Sequence, residues 1–250
     1  MEPVAADAVT DRKRELDTYQ AEYADPSADR KVEQRIEHFV SDFVISKLSG
    51  ERILELGVGD GIWTPKLVER FPQVTTVDGS RDLLAGMEER LRGRRWAPVC
   101  SLFEDYRPRQ RFDTVVASYV LEHVDEPALI VSMARRSWLK EGGRLAVVVP
   151  HALSLHRRLG VKMGLVSHPA QLGESDWRIG HQRCFTCHEL ERMIVEGGFR
   201  ILEQAGMFTK LFPNGMLVQC SDEQLRGMFE LGRELPIEYS SAVFVLAQAG

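Results

Sequence analysis

The chain has 250 residues, of which 44% are apolar and 28% are charged, the composition of an ordinary globular protein. Its 32 basic and 37 acidic residues give a net charge of −5, which excludes the overall basic field that favours a nucleic-acid backbone. No apolar run approaches the roughly 18 residues of a membrane span, and the first residues do not form a signal-peptide pattern. We therefore expect a cytoplasmic protein with neither a membrane nor a nucleic-acid partner.

The first fifty residues predict helical structure ahead of the first strand. Tyr19 and Tyr23 lie in a short polar helix pattern that ends at Pro26. Apolar residues recur at helical spacing from position 31 to position 48, and Gly50 follows as a stop signal. The sequence therefore predicts a helical cap over residues 1–50, followed by one domain over 51–250.

A glycine-rich turn organises that domain. The apolar run ILEL at 53–56 predicts a buried parallel strand, and three glycines follow within the sequence GVGDG at 57–61. Closely spaced glycines permit positive φ angles and remove Cβ atoms, so a ligand could contact main-chain N–H groups directly. A helix predicted over 62–71 would direct its amino terminus at the same ligand. A tight turn without a ligand is the alternative interpretation.

A second strand pattern, VTTVD at 74–78, ends in Asp78 about twenty residues after the first glycine. In a βαβ unit this acid lies at the carboxyl end of the neighbouring strand, where it can accept hydrogen bonds from both ribose hydroxyls. Asp78 alone could also be a solvated residue at a strand end. The glycine turn and the spaced acid together predict a ligand that contains adenosine.

The remaining elements alternate between strands and helices. Thr186 with Glu189, and Ser221 with Gln224, predict two helix-opening capping boxes. Periodicity and turn residues predict strands over 97–103, 112–118, 145–149, 199–204 and 242–247, and helices over 83–91, 128–139, 188–196 and 221–233.

Four motifs in this order resemble those of class I S-adenosylmethionine (SAM) dependent methyltransferases. They are ELGVGDG at 55–61, VDGS at 77–80, FDTVVASYVLEHV at 112–124 and LKEGGRLAVVVP at 139–150. The resemblance implies an α/β fold with a doubly wound, seven-stranded, mostly parallel sheet, an antiparallel last strand and helices on both faces. It also implies SAM as the cofactor and S-adenosylhomocysteine as its product.

The resemblance implies a set of cofactor-binding residues along the strand ends and in the amino-terminal segment. Leu102 occupies the position where the family commonly has an Asp for the adenine amino group, so Phe103 and Glu104 take the adenine site here. The implied cofactor-binding residues are Tyr19, Tyr23, Glu55, Gly57, Gly59, Asp78, Gly79, Ser80, Phe103, Glu104 and Ser118.

A histidine-rich segment at about 151–183 interrupts the regular alternation and predicts a lid on the acceptor side. It holds four of the seven histidines in the chain and several arginines. Methyl transfer to oxygen or nitrogen needs a proton acceptor, and a His that titrates near neutral pH suits that role. The candidates are His151 and His181, then His123, which follows the fourth strand. A solvated basic lid helix with structural histidines is the alternative.

The expected reaction is methyl transfer to an oxygen or nitrogen of a small metabolite, and the basic lid favours an anionic one. Residues 118–121 read SYVL and lack the Asn/Asp-Pro-Pro-aromatic run expected of DNA and RNA amino-methyltransferases. Two other functions remain open: a catalytically inactive SAM-binding sensor or scaffold, and a nicotinamide-dependent enzyme. The sequence leaves the oligomeric state open.

The cysteine pattern predicts no metal site. Cys184 and Cys187 precede His188 in a CxxCH pattern, which also occurs at haem attachment sites. The same residues open a predicted helix through the Thr186 capping box, and no second ligand pair is present elsewhere. We therefore expect four free thiols.

Overall fold

A computed structural model describes residues 27–250 of the chain. Seven strands form one sheet in the order β3-β2-β1-β4-β5-β7-β6. Strands β1 to β5 pair in parallel, and β7 runs antiparallel to both β5 and β6. The strands are β1 (Arg52–Leu56), β2 (Gln73–Asp78), β3 (Trp96–Cys100), β4 (Phe112–Ser118), β5 (Leu139–Pro150), β6 (Phe199–Met207) and β7 (Ala242–Ala249). This topology confirms the predicted mostly parallel sheet with an antiparallel last strand.

Helices cover both faces of the sheet, because successive side chains of each buried strand enter opposite hydrophobic clusters. Val115 of β4 lies in one cluster and its neighbour Val116 lies in the other. The α-helices are α1 (Ala28–Lys47), α2 (Trp63–Arg70), α3 (Arg81–Arg90), α4 (Pro127–Met133), α5 (Leu155–Lys162), α6 (Glu174–Arg178), α7 (Cys187–Glu196) and α8 (Asp222–Glu234). Short 3-10 helices occur at Phe103–Asp105, Asn214–Leu217 and Ile237–Tyr239, and a π-helical segment at Ala134–Trp138.

Several strand boundaries differ from those predicted: β5 begins at Leu139 instead of 145, and the ends of β3 and β6 also move. Strand β3 ends at Cys100 instead of 103, because Leu102 and Phe103 enter a 3-10 turn in which the N–H of Asp105 donates to the carbonyl of Leu102. Strand β6 continues to Met207 because it pairs with β7 along its whole length. Apolar periodicity reports neither the local 3-10 turn after β3 nor the pairing of β6 with β7, so it misplaces both strand ends.

Helix α1 belongs to the same core as the sheet. Val40 and Val44 are fully buried and share a hydrophobic cluster with Phe244 of β7. The division of the chain into a cap over 1–50 and a domain over 51–250 remains a prediction. Tyr19 and Tyr23 lie outside the described residues.

The predicted lid segment contains α5 and α6 and connects β5 to α7. Thr186, which follows the lid and precedes α7, forms the predicted capping box with Glu189, and Ser221 forms another with Gln224 at the start of α8. Within residues 27–250, no helix has both the length and the apolar composition that crossing a bilayer requires. The lid and the loop after β6 lie at the carboxyl edge of the sheet, where ligands of open α/β sheets bind.

Candidate functional site at the carboxyl edge of the sheet

The glycine-rich turn after β1 adopts the backbone that its sequence predicts. Gly57, Gly59 and Gly61 have φ angles of +78°, +50° and +69°, a region that other residues rarely occupy. The N–H of Gly57 donates to the carbonyl of Val77 at 2.8 Å, which fixes the turn to the end of β2. Among the described residues, a Cβ added at Gly57 would contact only a methyl group of Val120, at 3.5 Å. The turn therefore offers its main chain to a ligand at close range.

Asp78 joins the loops that follow β1 and β2. Its carboxylate accepts the N–H of Val58 at 2.8 Å and the N–H of Ser80 at 2.7 Å, and the residue is 9% exposed. The Ser80 hydroxyl in turn caps α3 by accepting the N–H of Leu83. Between them, the Gly79 carbonyl accepts the thiol of Cys100. Four predicted cofactor-binding residues, Gly57, Asp78, Gly79 and Ser80, therefore lie together.

Glu55 lies buried beneath the glycine turn. One carboxylate oxygen accepts the hydroxyls of Thr64 at 2.8 Å and Thr76 at 2.6 Å, and the other oxygen has no hydrogen-bond partner in the described chain. Burial raises the pKa of Glu55 to about 8, although the two threonine hydroxyls oppose the shift. The side chain thus links β1 to α2 and β2 and supports the turn from below.

A second charged group lies on the other side of the turn. It was not among the site residues predicted from the sequence. Arg30 of α1 forms an ion pair with Asp60, the residue between the last two glycines, and a 2.7 Å ion pair with Glu33. Next to them, the indole N–H of Trp63 donates to Glu37 at 2.8 Å. The sequence shows an acid, Asp60, among the glycines of the turn. Its partner Arg30 could not be identified in the same way, because it lies thirty residues earlier, in α1.

The predicted adenine-site residues follow β3. Phe103 and Glu104 are half-buried in the 3-10 turn, and the Phe103 ring packs against the larger hydrophobic cluster. The carbonyl of Glu104 accepts a hydrogen bond from Arg107. Both residues lie beyond the end of the strand next to Asp78, at the edge where the adenine is expected.

The end of β4 has two unusual features. The hydroxyl of Ser118 is buried and has no hydrogen-bond partner among the described residues. Tyr119 has a φ of +54°, a conformation that is strained for a bulky side chain, and its N–H donates to the carbonyl of Val148 at 2.8 Å. Strain of this kind concentrates at functional sites. The unpartnered hydroxyl of Ser118 fits its predicted role at the cofactor site.

His151 lies in the core after β5. It is 1% exposed, its Nδ1 lies 3.2 Å from the carbonyl of Ser240, and its Nε2 lies 3.7 Å from the thiol of Cys187. Burial lowers the pKa of the imidazole. Because both ring nitrogens are in contact with protein atoms, this position favours a structural role. Its assignment as a base remains a prediction.

A chain of polar groups links the lid to the end of β4. The Arg157 guanidinium contacts both oxygens of Asp176 at 3.1 Å, and Asp176 lies 3.1 Å from Nδ1 of His181. On the other side of the ring, Nε2 of His181 lies 3.9 Å from a carboxylate oxygen of Glu122. Burial alone would raise the pKa of Asp176, but the hydrogen bond to His181 and the charge of Arg157 hold it well below its usual range. Asp176 therefore remains ionised and orients the imidazole.

Glu122 is fully buried, and neither of its oxygens has a hydrogen-bond partner in the described chain. Burial raises its pKa to about 7, with the nearby His181 opposing the shift. Glu122 lies within one of the four family motifs but was not among the predicted site residues. The adjacent His123 packs edge-on against His181 with ring centres 4.7 Å apart, and burial lowers its pKa to about 3. His123 and His181 are thus brought together, while His151 contacts neither.

Most cations of the lid bind the protein itself. Arg157 also donates to main-chain carbonyls of the lid, Arg158 donates to the carbonyl of Leu153, and Arg183 donates to the carbonyl of Val124. Lys210, in the loop after β6, donates its ammonium to the amide oxygen of Asn214. Burial lowers the pKa of Lys210 to about 8. Lys210 therefore adds a further cation with an uncharged partner next to the lid.

Known proteins share both the sequence pattern and the fold. A family model described as a methyltransferase domain matches residues 28–204. A phosphatidylethanolamine N-methyltransferase of Cereibacter sphaeroides is 31% identical over 173 residues, which cover 67% of this chain and 77% of that protein. A ubiquinone biosynthesis O-methyltransferase of Xylella fastidiosa is 32% identical over 148 residues, which cover 54% of this chain and 58% of that protein. The match thus spans less than two thirds of the second relative.

The fold has solved counterparts at low sequence identity. The N-methyltransferase NodS of Bradyrhizobium japonicum, solved with S-adenosylhomocysteine, superposes with a TM-score of 0.60 at 13% identity, covering 94% of this chain and 97% of NodS. The family match extends over more than half of the chain, and the strand order agrees with it. The chain belongs to the class I SAM-dependent methyltransferases.

Proposed function

We propose that this methyltransferase transfers a methyl group to an oxygen or nitrogen of a small, anionic metabolite. The observation that carries the proposal is the buried Glu122, with unpartnered oxygens, next to a His181 that Asp176 orients. One relative is named for transfer to nitrogen and the other for transfer to oxygen, so the comparisons support both acceptor atoms.

The described residues fit the cofactor. The glycine turn lets a ligand approach its main chain closely, Asp78 is the acid for the ribose hydroxyls, and Ser118 provides a hydroxyl without a partner among residues 27–250. When bound, SAM supplies an electrophilic methyl group on a sulfonium. In this proposal Glu55 and the Arg30–Asp60 pair keep the turn in its binding conformation, and Phe103 and Glu104 border the adenine.

On the side where the methyl acceptor would bind, the protein supplies a group that can take up a proton. As the new bond from oxygen or nitrogen to the methyl carbon forms and the carbon–sulfur bond breaks, the proton of the acceptor moves to the carboxylate of Glu122. A pKa of about 7 suits this role near neutral pH. His181, held by Asp176, lies next to Glu122 and can pass the proton towards the lid. Glu122 therefore takes the role for which His151, His181 and His123 were the predicted candidates.

The charge of the pocket supports an anionic acceptor. Burial, and then the nearby charge of Lys210, lower the pKa of His156 in α5 to about 3. Nδ1 of His156 is buried and has no hydrogen-bond partner among residues 27–250. Glu33 and Asp176 partly offset the charge of Lys210. A carboxylate or phosphate of the acceptor would complete the interactions of Lys210 and His156.

The test is turnover of labelled SAM with matched anionic and neutral acceptors that carry amine or hydroxyl groups. We expect S-adenosylhomocysteine to form with an anionic acceptor, and the rate to fall below about pH 7 as Glu122 becomes protonated. Glu122→Gln should lower the rate ~10- to 100-fold, while Glu126→Gln, an exposed neighbour, should not. Tight SAM binding without turnover for any acceptor would instead favour the sensor or scaffold function.

A further inference from the structure

Three groups that carry lone pairs converge at the end of β4. One carboxylate oxygen of Glu122 and one ring nitrogen each of His123 and His181 all lie within 4.8 Å of one another. The Glu122 side chain is fully buried and that of His181 is 9% exposed. No hydrogen bond to either oxygen of Glu122 is present within residues 27–250. A buried carboxylate without a donor is unfavourable unless a proton or a cation neutralises it.

The surroundings of His181 match those of a metal ligand. A ligating His donates its other ring N–H to a carboxylate or a backbone carbonyl, which fixes the ring and its tautomer. His181 contacts Asp176 through Nδ1. Arg157 holds Asp176 in turn. When Nδ1 carries the proton, Nε2 of the ring has a lone pair and can bind a cation.

The spacing also fits a cation better than a hydrogen bond. The 3.9 Å between Nε2 of His181 and the oxygen of Glu122 is too long for a hydrogen bond. Two ligands about 2.0–2.1 Å from a tetrahedral zinc ion are about 3.4 Å apart, so a small side-chain shift would bring both into range. Two His and one carboxylate leave a fourth position open, as in catalytic zinc sites.

We propose that Glu122, His123 and His181 form a binding site for one zinc ion, with Asp176 as the residue that positions His181. The site goes beyond the proposed methyl transfer and does not depend on the identity of the acceptor. It replaces the expectation of a chain without a metal. With zinc bound, the carboxylate of Glu122 is not free to take up the proton of the acceptor, so its proposed role as proton acceptor belongs to the metal-free protein.

The experiment is calorimetric titration of the chelator-treated full chain with zinc chloride, with cobalt chloride as a spectroscopic probe. We expect one equivalent of zinc, and the visible absorption of cobalt in a four- or five-coordinate site. Glu122→Gln and His181→Gln should each lower zinc affinity at least tenfold, and Asp176→Asn should lower it ~10- to 100-fold. Circular dichroism and SAM affinity should remain unchanged in these variants.

Two controls define the site. His168→Gln, an exposed histidine of the same lid, should leave zinc affinity unchanged. The double substitution of Cys184 and Cys187 by Ser tests the competing thiol site, and it should also leave zinc affinity unchanged. Loss of zinc only in the cysteine variant, or no zinc binding by the native chain, would overturn the proposal. Since SAM affinity and turnover are measured separately, failure of the metal site leaves the test of methyl transfer intact.

Discussion

The carboxylate of Asp78 accepts the main-chain N–H of Val58 at 2.8 Å and so fastens the glycine-rich turn to the end of β2. This bond gives Asp78 a role in shaping the turn in addition to the predicted role on the ribose. Both roles need the negative charge, because hydrogen bonds to a charged acceptor are stronger than those to a neutral one. The cofactor site is therefore sensitive to a substitution that changes only charge.

Asp78→Asn should weaken SAM binding by ~10- to 100-fold, the equivalent of losing hydrogen bonds to a charged group. Isothermal calorimetry on the folded variant measures the effect. Asp82→Asn, which removes an exposed acid from the first turn of α3, is the matched control and should bind SAM normally. Unchanged affinity in Asp78→Asn would contradict the assigned cofactor site.

Gly57→Ala should also weaken SAM binding, by about tenfold, because a residue with a Cβ is strained at a φ of +78° by roughly 1–2 kcal/mol. The added methyl would make only an ordinary contact with Val120, so we expect the fold to persist. Gly93→Ala is the matched control, since Gly93 has a φ of +80° and its Cβ would meet no atom of residues 27–250 within 4 Å. Both variants should lose similar stability in chemical denaturation, but only Gly57→Ala should lose SAM affinity.

Glu55→Gln should reduce the pH dependence of stability. The pKa of Glu55 rises from 4.5 to about 8 on folding, chiefly through burial, so between these values the folded chain binds more protons than the unfolded chain. The free energy of unfolding therefore falls as the pH rises through this interval, by at most about 1.4 kcal/mol per pH unit for this one carboxyl group. Glu37 and Glu122 contribute with the same sign.

Urea denaturation at pH 5 and pH 8, without SAM, measures this slope. We expect a smaller difference between the two pH values in Glu55→Gln than in the native protein. Glu69→Gln, an exposed glutamate of α2, should keep the native difference. An unaltered slope in Glu55→Gln would show that its carboxyl group does not titrate in this interval.

The parts of the site that are local in sequence were predictable, and the parts that join distant segments were not. The glycine turn and Asp78 come from strand ends whose order follows from the βαβ pattern. The contact between Asp176 and His181 depends on how the lid folds back over β4. The pairing of Arg30 with Asp60 depends on how α1 docks. Periodicity along one segment carries no information on such contacts.

The histidines illustrate the same limit. Sequence position after β5 made His151 and His181 equally plausible bases, but their surroundings differ because one packs under α7 and the other faces Glu122. Their neighbours distinguish them, and the neighbours of a lid residue follow from tertiary packing. Glu122 was overlooked for the same reason. The residues around it in the motif do not indicate that its carboxylate oxygens lack hydrogen-bond partners within residues 27–250.

Substitution of His151 and of His181 should distinguish a structural role from a role in methyl transfer. His151→Phe removes both contacts of a ring that is 1% exposed, so it should lower the free energy of unfolding by about 1–3 kcal/mol and change the transfer rate little. His181→Gln should leave SAM affinity intact and lower the transfer rate ~10- to 100-fold, because it interrupts the chain from Glu122 to Asp176. Urea denaturation and single-turnover kinetics with a saturating acceptor measure the two effects. A large loss of rate in His151→Phe at native stability would restore His151 as the base and remove that role from Glu122 and His181.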